Sequence, residues 1–335
     1  MPEATGHGSV TARSGCRSAT LRAVSTRTGI DWAAPVPGAR YHGLRVPSGA
    51  LAAVSLPADP DAARAGGARG GGRVVLLPGL TGSKEDFALV MPLLAHAGFD
   101  SESVDLAGQH ESAAAGPRGV AAAGASPSPS YDYPLYTADV TALLEAGEPA
   151  HVVGYSFAGV VAQLVAVARP ELVRSLTLVS TPPGYGNGFR GVSWIGWASG
   201  TLGPRVAASL MLWGVRNNLN RVDGDRLAFV RARLAATRRD SVDDTIALMM
   251  AIPDVRDAVA ALPVPKLVAV GRHDLWPVRR HARFAASIGA ELGVYGSGHS
   301  PNETAPAALT ADLVRLYRAA PSSGGGAPAV TPSAE

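Results

Sequence analysis

Cysteine and long hydrophobic runs are both scarce in this sequence. Cys16 is the only cysteine among 335 residues, so no disulfide can form within the chain and no group of cysteines can bind a metal. The longest candidate for a membrane segment, residues 206–215, falls well short of the ~20 apolar residues that cross a bilayer. These absences exclude a disulfide-stapled scaffold and a membrane-spanning helix, and we expect a cytoplasmic protein.

Charged residues are also few, at 17% of the chain with a net charge of +3. Six arginines fall within residues 1–45 beside only Glu3 and Asp31, so the rest of the chain is close to neutral. A neutral body lacks the basic patch of a nucleic-acid-binding protein, and no His-Glu-x-x-His motif indicates a metal site. We expect a small-molecule substrate, with no nucleic acid, cofactor or metal; the oligomeric state is not indicated.

The chain divides into one long periodic body and two tails. Residues 1–38 lack hydrophobic periodicity, and residues 322–335 are rich in Gly, Ser, Ala and Pro, so both are predicted to be disordered. Because 47% of the residues are hydrophobic, residues 39–321 are long enough to bury a sizeable core. We predict a single domain over that range.

Short hydrophobic runs alternate with helical segments along the body. Residues 41–56 are predicted to form a hairpin, and a Gly/Ala/Arg linker follows over residues 58–72. The first helix is predicted to begin with Ser83 as its cap, although Pro92 lies within it. The last helix is predicted over residues 304–318. Strands that alternate with helices predict an α/β fold, a mostly parallel sheet with helices on both faces.

Two segments interrupt this alternation. Residues 182–262 contain three predicted helices and no strand, so we interpret them as an insertion over one edge of the sheet. The stretch between Asp105 and Tyr136 is rich in Ala, Gly, Ser and Pro. Loops of this length without regular structure are often functional or mobile.

The stretch Gly-Tyr-Ser-Phe-Ala-Gly, residues 154–159, joins a predicted strand to a predicted helix. A dinucleotide-binding loop would need glycine in place of Ser156 and an acid after the next strand, where Ser180 and Thr181 stand. No Gly-Lys-Ser/Thr follows, which excludes a P-loop. Two interpretations stay open for the motif alone: small residues that allow close packing, or a nucleophile elbow that holds Ser156 on a tight turn.

The residues that follow favour the elbow. A serine hydroxyl needs a base to take its proton, and the base needs an orienting acid. Asp274 follows one predicted strand in "LVAVGRHDLWP", and His299 follows the next in "GVYGSGHSPNETAP". Both fall at the carboxyl ends of strands, where ligands bind in open α/β sheets. The backbone amides of Leu80 and Phe157 are predicted to form an oxyanion hole.

Residues 73–318 resemble the α/β-hydrolase superfamily. Five segments carry the resemblance and occur in the family's order: "PGLTG", "DLAGQHES", "GYSFAG", "GRHD" and "GSGHS". Pro78 stands where the family commonly has histidine, and Gln109-His110 replaces its usual His-Gly, so the loop after Asp105 is expected to run differently. The resemblance implies an α/β-hydrolase fold in which residues 182–262 form a helical lid.

The resemblance also implies an enzyme, a serine hydrolase that cleaves a carboxylic ester, thioester or lactone. It implies that Ser156 is the nucleophile, His299 the base and Asp274 the acid, since chain order disfavours Asp105 as a rival acid. Two alternatives stay open. The same triad supports carbon–carbon bond hydrolysis or cofactor-free perhydrolysis, and a small-molecule-binding protein could keep the triad without turnover.

Aromatic and thioether side chains are concentrated in the insertion. Trp194, Trp197, Trp213 and Met249 are predicted to line an apolar substrate pocket, although the packed core of the insertion itself is the default place for such residues. The remaining histidines, His281 among them, show no partner in the sequence.

Overall fold

The computed structural model describes residues 31–65, 71–117, 130–190, 192, 209 and 224–320. Within these ranges the strands are β1 (Arg40–Val46), β2 (Gly49–Leu56), β3 (Arg73–Leu77), β4 (Asp100–Val104), β5 (Ala150–Tyr155), β6 (Val173–Val179), β7 (Lys266–Gly271) and β8 (Glu291–Tyr295). The α-helices are α1 (Pro60–Ala65), α2 (Met91–His96), α3 (Tyr133–Glu145), α4 (Phe157–Ala168), α5 (Gly224–Ala236), α6 (Arg239–Met249), α7 (Arg256–Ala261), α8 (Val278–Ser287), α9 (Pro301–Thr304) and α10 (Pro306–Ala319). Short 3₁₀ helices lie at Lys84–Phe87, His110–Ser112 and Pro170–Leu172.

These strands form one sheet in the order β1-β2-β4-β3-β5-β6-β7-β8. β2 pairs antiparallel with both β1 and β4. The remaining pairings are parallel. The sheet is therefore mostly parallel, which confirms the predicted α/β fold, and the predicted hairpin is present as β1 and β2.

Alternate residues of the central strands face two separate hydrophobic clusters. In β3, Val75 and Leu77 belong to a cluster that also contains residues of α3, α4 and α8. Val74 and Leu76 belong to a second cluster, together with residues of α2 and α10. All four side chains are inaccessible to solvent. Because side chains alternate along a strand, helices on each side bury both faces of the sheet.

The helix predicted to begin at Ser83 is wrong in detail. The chain instead forms the 3₁₀ helix Lys84–Phe87 and then α2, with Pro92 in the first turn of α2. Proline is tolerated there because the first helical amides have no partner within the helix. The Ser83 side chain makes no capping hydrogen bond; its Oγ accepts a bond from Arg233 at 3.3 Å.

Two other predicted boundaries also shift. The predicted linker over residues 58–72 contains the short helix α1. The last predicted helix, over residues 304–318, is present as α10, and the short helix α9 precedes it with a break at Ala305. Pro306, which has no amide hydrogen to continue the helix ladder, begins α10 at the break.

Part of the predicted N-terminal tail packs on the domain. Trp32 and Val36 are buried, at 6% and 7% exposure. The amide of Val36 donates to the hydroxyl of Tyr41 at 3.0 Å. The packed chain therefore begins before residue 39, because these apolar side chains are removed from water. Residues 1–30 and 321–335, which hold the rest of the two predicted tails, lie outside the described residues.

Helices α5, α6 and α7 lie between β6 and β7, as the predicted insertion requires. α6 contacts α3 through two tyrosines. The hydroxyl of Tyr133 donates to the Leu248 carbonyl at 3.0 Å, and the hydroxyl of Tyr136 lies 3.1 Å from Oγ1 of Thr245. Among the described residues no helix is long and apolar enough to cross a membrane.

A buried ion-pair cluster joins α5 to two loops of the body. Nη1 of Arg233 lies 2.6 Å from Oδ1 of Asp86, and Nη2 of Arg226 lies 3.2 Å from the same oxygen. Nε of Arg226 also donates to Glu303 at 3.0 Å. Asp86 follows β3 and Glu303 lies in α9. This ion-pair cluster of four residues therefore holds the insertion against the loops that follow β3 and β8.

Candidate active site

Ser156 lies between the last residue of β5 and the first residue of α4. Its backbone φ is 53° and its ψ is −117°, a conformation that costs a non-glycine residue about 1–3 kcal/mol. Its amide donates to the Val179 carbonyl at 2.8 Å, which extends the β5–β6 pairing beyond the strands. The strained turn therefore presents Ser156 at the carboxyl edge of the sheet.

Small residues around Ser156 are required by the approach of β5 to α4. A β-carbon on Gly154 would lie 2.5 Å from the carbonyl oxygen of Ala158 and 2.6 Å from Cα of Gly159. Ala158 is itself completely buried. The two interpretations of the motif are therefore compatible, since the same close packing that requires small residues also produces the turn at Ser156.

His299 lies beside Ser156, and Asp274 lies beside His299, although both come far later in the chain than Ser156. Nε2 of His299 is 3.2 Å from Oγ of Ser156, and its Nδ1 is 2.6 Å from Oδ1 of Asp274. With Nδ1 donating to the carboxylate, Nε2 is left to accept the serine proton. The three groups follow β5, β7 and β8, and parallel strands bring their carboxyl ends to one edge. The structure thus places the three predicted side chains in one continuous chain of contacts.

Asp274 has no exposed side-chain surface. The amide of Leu275 donates to its Oδ1 at 2.5 Å, and Nε2 of His281 lies 3.1 Å from its Oδ2. Burial raises the pKa of Asp274, but its contacts with His281 and His299 outweigh burial, so the pKa falls below its usual value. The carboxylate is therefore ionised at neutral pH.

His281 is a residue that sequence reasoning missed. It lies in α8 with its side chain fully buried, and it shares the inner face of that helix with Phe284 and Ala285. That spacing of three and four residues was visible in the sequence and indicated a buried histidine. Its partner was not visible, because the loop that carries Asp274 is brought to it only by the fold.

Two aromatic rings flank His299. The ring of Tyr155 is 5.5 Å from the His299 ring, and that of Trp276 is 5.8 Å from it. Both aromatic residues are anchored: the Tyr155 hydroxyl lies 2.8 Å from Oγ of Ser300, and Nε1 of Trp276 donates to the Gly188 carbonyl at 2.9 Å. The side chain of His299 keeps 23% of its surface exposed. The His299 ring is therefore held in position and still partly open to solvent.

The loop after β3 passes directly beside Ser156. A β-carbon on Gly79 would lie 3.3 Å from Cβ of Ser156 and 3.0 Å from the Tyr155 ring, so any side chain there would press against both residues. Among the described residues neither the amide of Leu80 nor that of Phe157 donates to another backbone group. Two predicted oxyanion donors therefore lie on segments that meet at Ser156.

Gln109 holds the peptide group to which the Leu80 amide belongs. Its Nε2 donates to the Gly79 carbonyl at 2.9 Å, and its Oε1 accepts from the Leu106 amide at 3.1 Å. In a trans peptide the N–H points opposite to the C=O, so fixing the Gly79 carbonyl also fixes the direction of the Leu80 N–H. The departure from the family's usual His-Gly pair thus has a definite structural role.

Asp105, the rival acid, is engaged elsewhere. Its Oδ1 accepts from the Lys84 amide at 2.7 Å and its Oδ2 from the Glu111 amide at 3.1 Å. The Lys84 ammonium lies 3.5 Å from Oδ2. Burial raises the pKa of Asp105 to about 7 even though Lys84 lowers it. Asp105 therefore stabilises the loop after β4, while Asp274 is the carboxylate that contacts His299.

The predicted pocket residues are only partly described. Trp194, Trp197 and Trp213 lie outside the described residues. Met249 is at the end of α6, 3% exposed, in the larger hydrophobic cluster. Within the described ranges no three histidine, cysteine, aspartate or glutamate side chains form a group that could hold a metal ion.

Ser156, His299 and Asp274 thus lie together at the carboxyl edge of an open sheet, where the sequence motifs predicted a candidate site. The chain belongs to the alpha/beta hydrolase family, whose profile matches residues 74–313. This confirms the family that the sequence motifs indicated. No curated protein matches the chain.

Solved structures share this fold at low sequence identity. An esterase from Exiguobacterium antarcticum has a TM-score of 0.62 at 16% identity, covering 83% of this chain and 100% of that one. The enol-lactonase from Burkholderia xenovorans LB400 has a TM-score of 0.58 at 20% identity, with coverage of 83% and 100%. A meta-cleavage product hydrolase from Pseudomonas fluorescens IP01 has a TM-score of 0.57 at 16% identity, with coverage of 83% and 97%. At these identities the likeness shows the fold alone.

Proposed function

We propose that this protein is a serine hydrolase that cleaves a carboxylic ester through an acyl-enzyme intermediate. The observation that carries the proposal is the chain of contacts from Ser156 through His299 to Asp274, built on a strained strand-to-helix turn. A thioester or a lactone would react by the same steps, so the proposed substrates share an activated acyl carbon.

In the proposed first half-reaction, Oγ of Ser156 attacks the carbonyl carbon while Nε2 of His299 takes the serine proton. The carbonyl oxygen becomes an oxyanion and accepts hydrogen bonds from the amides of Leu80 and Phe157. When the tetrahedral intermediate collapses, the bond to the leaving oxygen breaks and His299 gives the proton to that oxygen. The alcohol departs and the acyl group stays on Ser156.

Water completes the reaction. His299 takes a proton from water as the water oxygen attacks the acyl carbon, and the bond to Oγ of Ser156 then breaks. The serine recovers the proton from His299, and the carboxylic acid leaves. Asp274 stays ionised throughout, because its contacts with His281 and His299 keep its pKa low, and its charge stabilises the imidazolium that forms in each half-reaction.

The insertion is proposed to act as the lid of a single catalytic domain, residues 39–321. Its position between β6 and β7 and the ion-pair cluster that holds α5 against the loops after β3 and β8 support this role. The proposed apolar pocket beneath it would use Met249 with Trp194, Trp197 and Trp213. Replacing Trp194 or Trp213 by alanine is expected to change the relative rates for long and short acyl esters.

The decisive experiment is covalent labelling with a fluorophosphonate probe, measured by intact mass. The wild type is expected to gain one adduct, and Ser156→Ala none. Ser180→Ala is the matched control, since Ser180 is also a buried serine at positive φ that follows the neighbouring strand; it is expected to label like the wild type. A folded wild-type protein that gains no adduct, or an adduct that persists in Ser156→Ala, would contradict the proposal.

Turnover separates an enzyme from a binding protein. With p-nitrophenyl esters, His299→Ala is expected to lower kcat by about 10⁴-fold or more, since members of such triads act as a unit. His273→Ala, in the exposed loop next to Asp274, is the control and is expected to keep its activity. Labelling without repeated turnover on any ester would instead favour a binding protein that keeps the triad.

A further inference from the structure

A cavity of about 360 Å³ lies between the loop after β6, the start of α7 and helix α8. None of the three triad residues lines it. Its walls combine four arginines with two aromatic rings: Arg190, Arg256, Arg280, Arg283, Tyr185 and Phe284. Its volume lies at the lower end of the range for small-molecule pockets.

The arginines of this cavity are poorly matched by acids. Among the described residues no aspartate or glutamate lines the cavity, and Arg190, Arg280 and Arg283 form no ion pair there with a carboxylate. Arg256 is the exception, 3.3 Å from Asp254. Burial raises the pKa of Tyr185, and the charges of Asp254 and Asp257 raise it further, so these two acids also act at the cavity wall. Even with these two acids counted, positive charge is in excess.

Helix α8 supplies two of these arginines, and the other charges of this helix, together with its dipole in the first turn, make their positions unfavourable for a positive charge. α8 contains Arg279, Arg280 and Arg283 and no acidic residue, so like charges lie three and four residues apart. Arg279 and Arg280 are in its first turn, where the helix dipole favours negative charge. A bound anion would relieve both the repulsion and the unfavourable dipole interaction.

The apolar walls define the rest of the ligand. The rings of Tyr185 and Phe284 meet edge to face with their centres 5.9 Å apart, and Arg280 is tied to the loop by a hydrogen bond from its Nη1 to the Arg190 carbonyl. Guanidinium groups bind phosphate and carboxylate oxygens in pairs. We propose that this cavity binds a small organic anion, with a phosphate or carboxylate group on the arginines and an apolar or aromatic body against the two rings.

The test is isothermal titration of the full chain with phenyl phosphate at low ionic strength. Phenyl phosphate is expected to bind saturably and more tightly than either inorganic phosphate or phenol, because only the complete molecule meets both the arginines and the rings. Benzoate in a parallel titration distinguishes carboxylate from phosphate recognition. Added sodium chloride is expected to weaken binding, since partly exposed charges are screened.

Two substitutions and one matched control locate the site. Arg283→Gln and Arg280→Gln are each expected to weaken phenyl phosphate binding about tenfold or more. Arg279→Gln, which removes an exposed arginine of the same helix that does not line the cavity, is expected to bind like the wild type. Arg283 makes no hydrogen bond with the described residues, so Arg283→Gln should fold even if Arg280→Gln does not.

The proposal is overturned if phenyl phosphate fails to bind, or if Arg279→Gln loses as much affinity as Arg283→Gln. The titrations are repeated on Ser156→Ala, where binding is expected to be unchanged. Binding and the proposed hydrolase activity are therefore tested separately, and one can fail while the other stands.

Discussion

Two groups of buried charged side chains lie at the carboxyl edge of the sheet, and they differ in charge balance and in access. In the triad region, one carboxylate, Asp274, faces the two imidazoles of His281 and His299, and the His299 side chain is 23% exposed. In the ion-pair cluster, two arginines face two carboxylates, and no side chain of the four is more than 11% exposed.

The pKa shifts of the two groups follow this difference. Burial raises the pKa of Glu303 in the ion-pair cluster, and this effect outweighs the neighbouring arginines. Burial acts the same way on Asp274, but its histidine contacts reverse the direction. An ionised carboxylate beside an accessible base is suited to proton transfer, whereas a closed and balanced cluster holds chain segments together. Buried charged side chains alone therefore do not indicate a catalytic role; the exposed part of the His299 side chain is what separates the two groups.

The largest effect on stability is expected from Asp86→Ala. This variant leaves Arg226 and Arg233 buried without one of their carboxylate partners, and breaking a buried ion pair costs about 3–5 kcal/mol. Urea denaturation should report that loss in the free energy of unfolding. Asp240→Ala breaks a pair with Arg238 whose side chains are about half exposed and should cost at most about 1 kcal/mol. Equal losses in both variants would show that the ion-pair cluster does not hold the insertion.

His281→Asn tests the other group. It removes the imidazole that lies 3.1 Å from Oδ2 of Asp274. That contact helps to keep the pKa of Asp274 low, so kcat on esters is expected to fall about tenfold with KM little changed. His281→Gln should restore part of the rate. A role confined to packing would instead lower stability and leave kcat intact in the folded fraction.

His151 makes the folded state less stable in acid, so the two groups should be compared near neutral pH. Burial, aided by Arg174, lowers its pKa to about 3. As pH falls, the His151 side chain is therefore protonated near pH 6.5 in the unfolded chain but only near pH 3 in the folded chain. The contribution of neutral His151 to the free energy of unfolding is complete above pH 6.5 and is lost progressively as pH falls below it. The slope should approach about 1.4 kcal/mol per pH unit.

His151→Phe, which keeps the ring packed on Tyr317 at 4.1 Å, is expected to flatten this dependence in urea titrations at pH 4 to 7. His96→Gln, whose native side chain is 79% exposed, should keep the wild-type slope. The same slope in all three proteins would assign the acid sensitivity to other groups.

The smallest effect is expected from Gln109→Leu. Losing the hydrogen bond to the Gly79 carbonyl frees the Leu80 amide to rotate, and one such bond is worth about 1 kcal/mol, so kcat should fall about fivefold. KM should change little, and fluorophosphonate labelling should slow by a similar factor. Unchanged kinetics in a folded variant would remove Gln109 from the support of the oxyanion loop.

Much of the fold was predictable because its causes are local. The short hydrophobic runs and the helical segments predicted the alternation of strands and helices that the structure shows. The Ser83 side chain makes no capping hydrogen bond. Its hydroxyl contacts Arg233 instead, 150 positions later, and local sequence could not indicate that partner. Trp32 was assigned to a tail because its partner, the Arg226 guanidinium 4.3 Å from its ring, belongs to the insertion.

The sequence by itself determined the alternation of strands and helices, and therefore the edge at which Ser156, Asp274 and His299 emerge, since parallel strands end on one side. Only the tertiary structure decided what surrounds them: His281 beside Asp274, Gln109 on the Gly79 carbonyl, and four arginines around one cavity. These contacts join residues distant in the chain, and side-chain spacing along one element carries no information about which other element will pack against it.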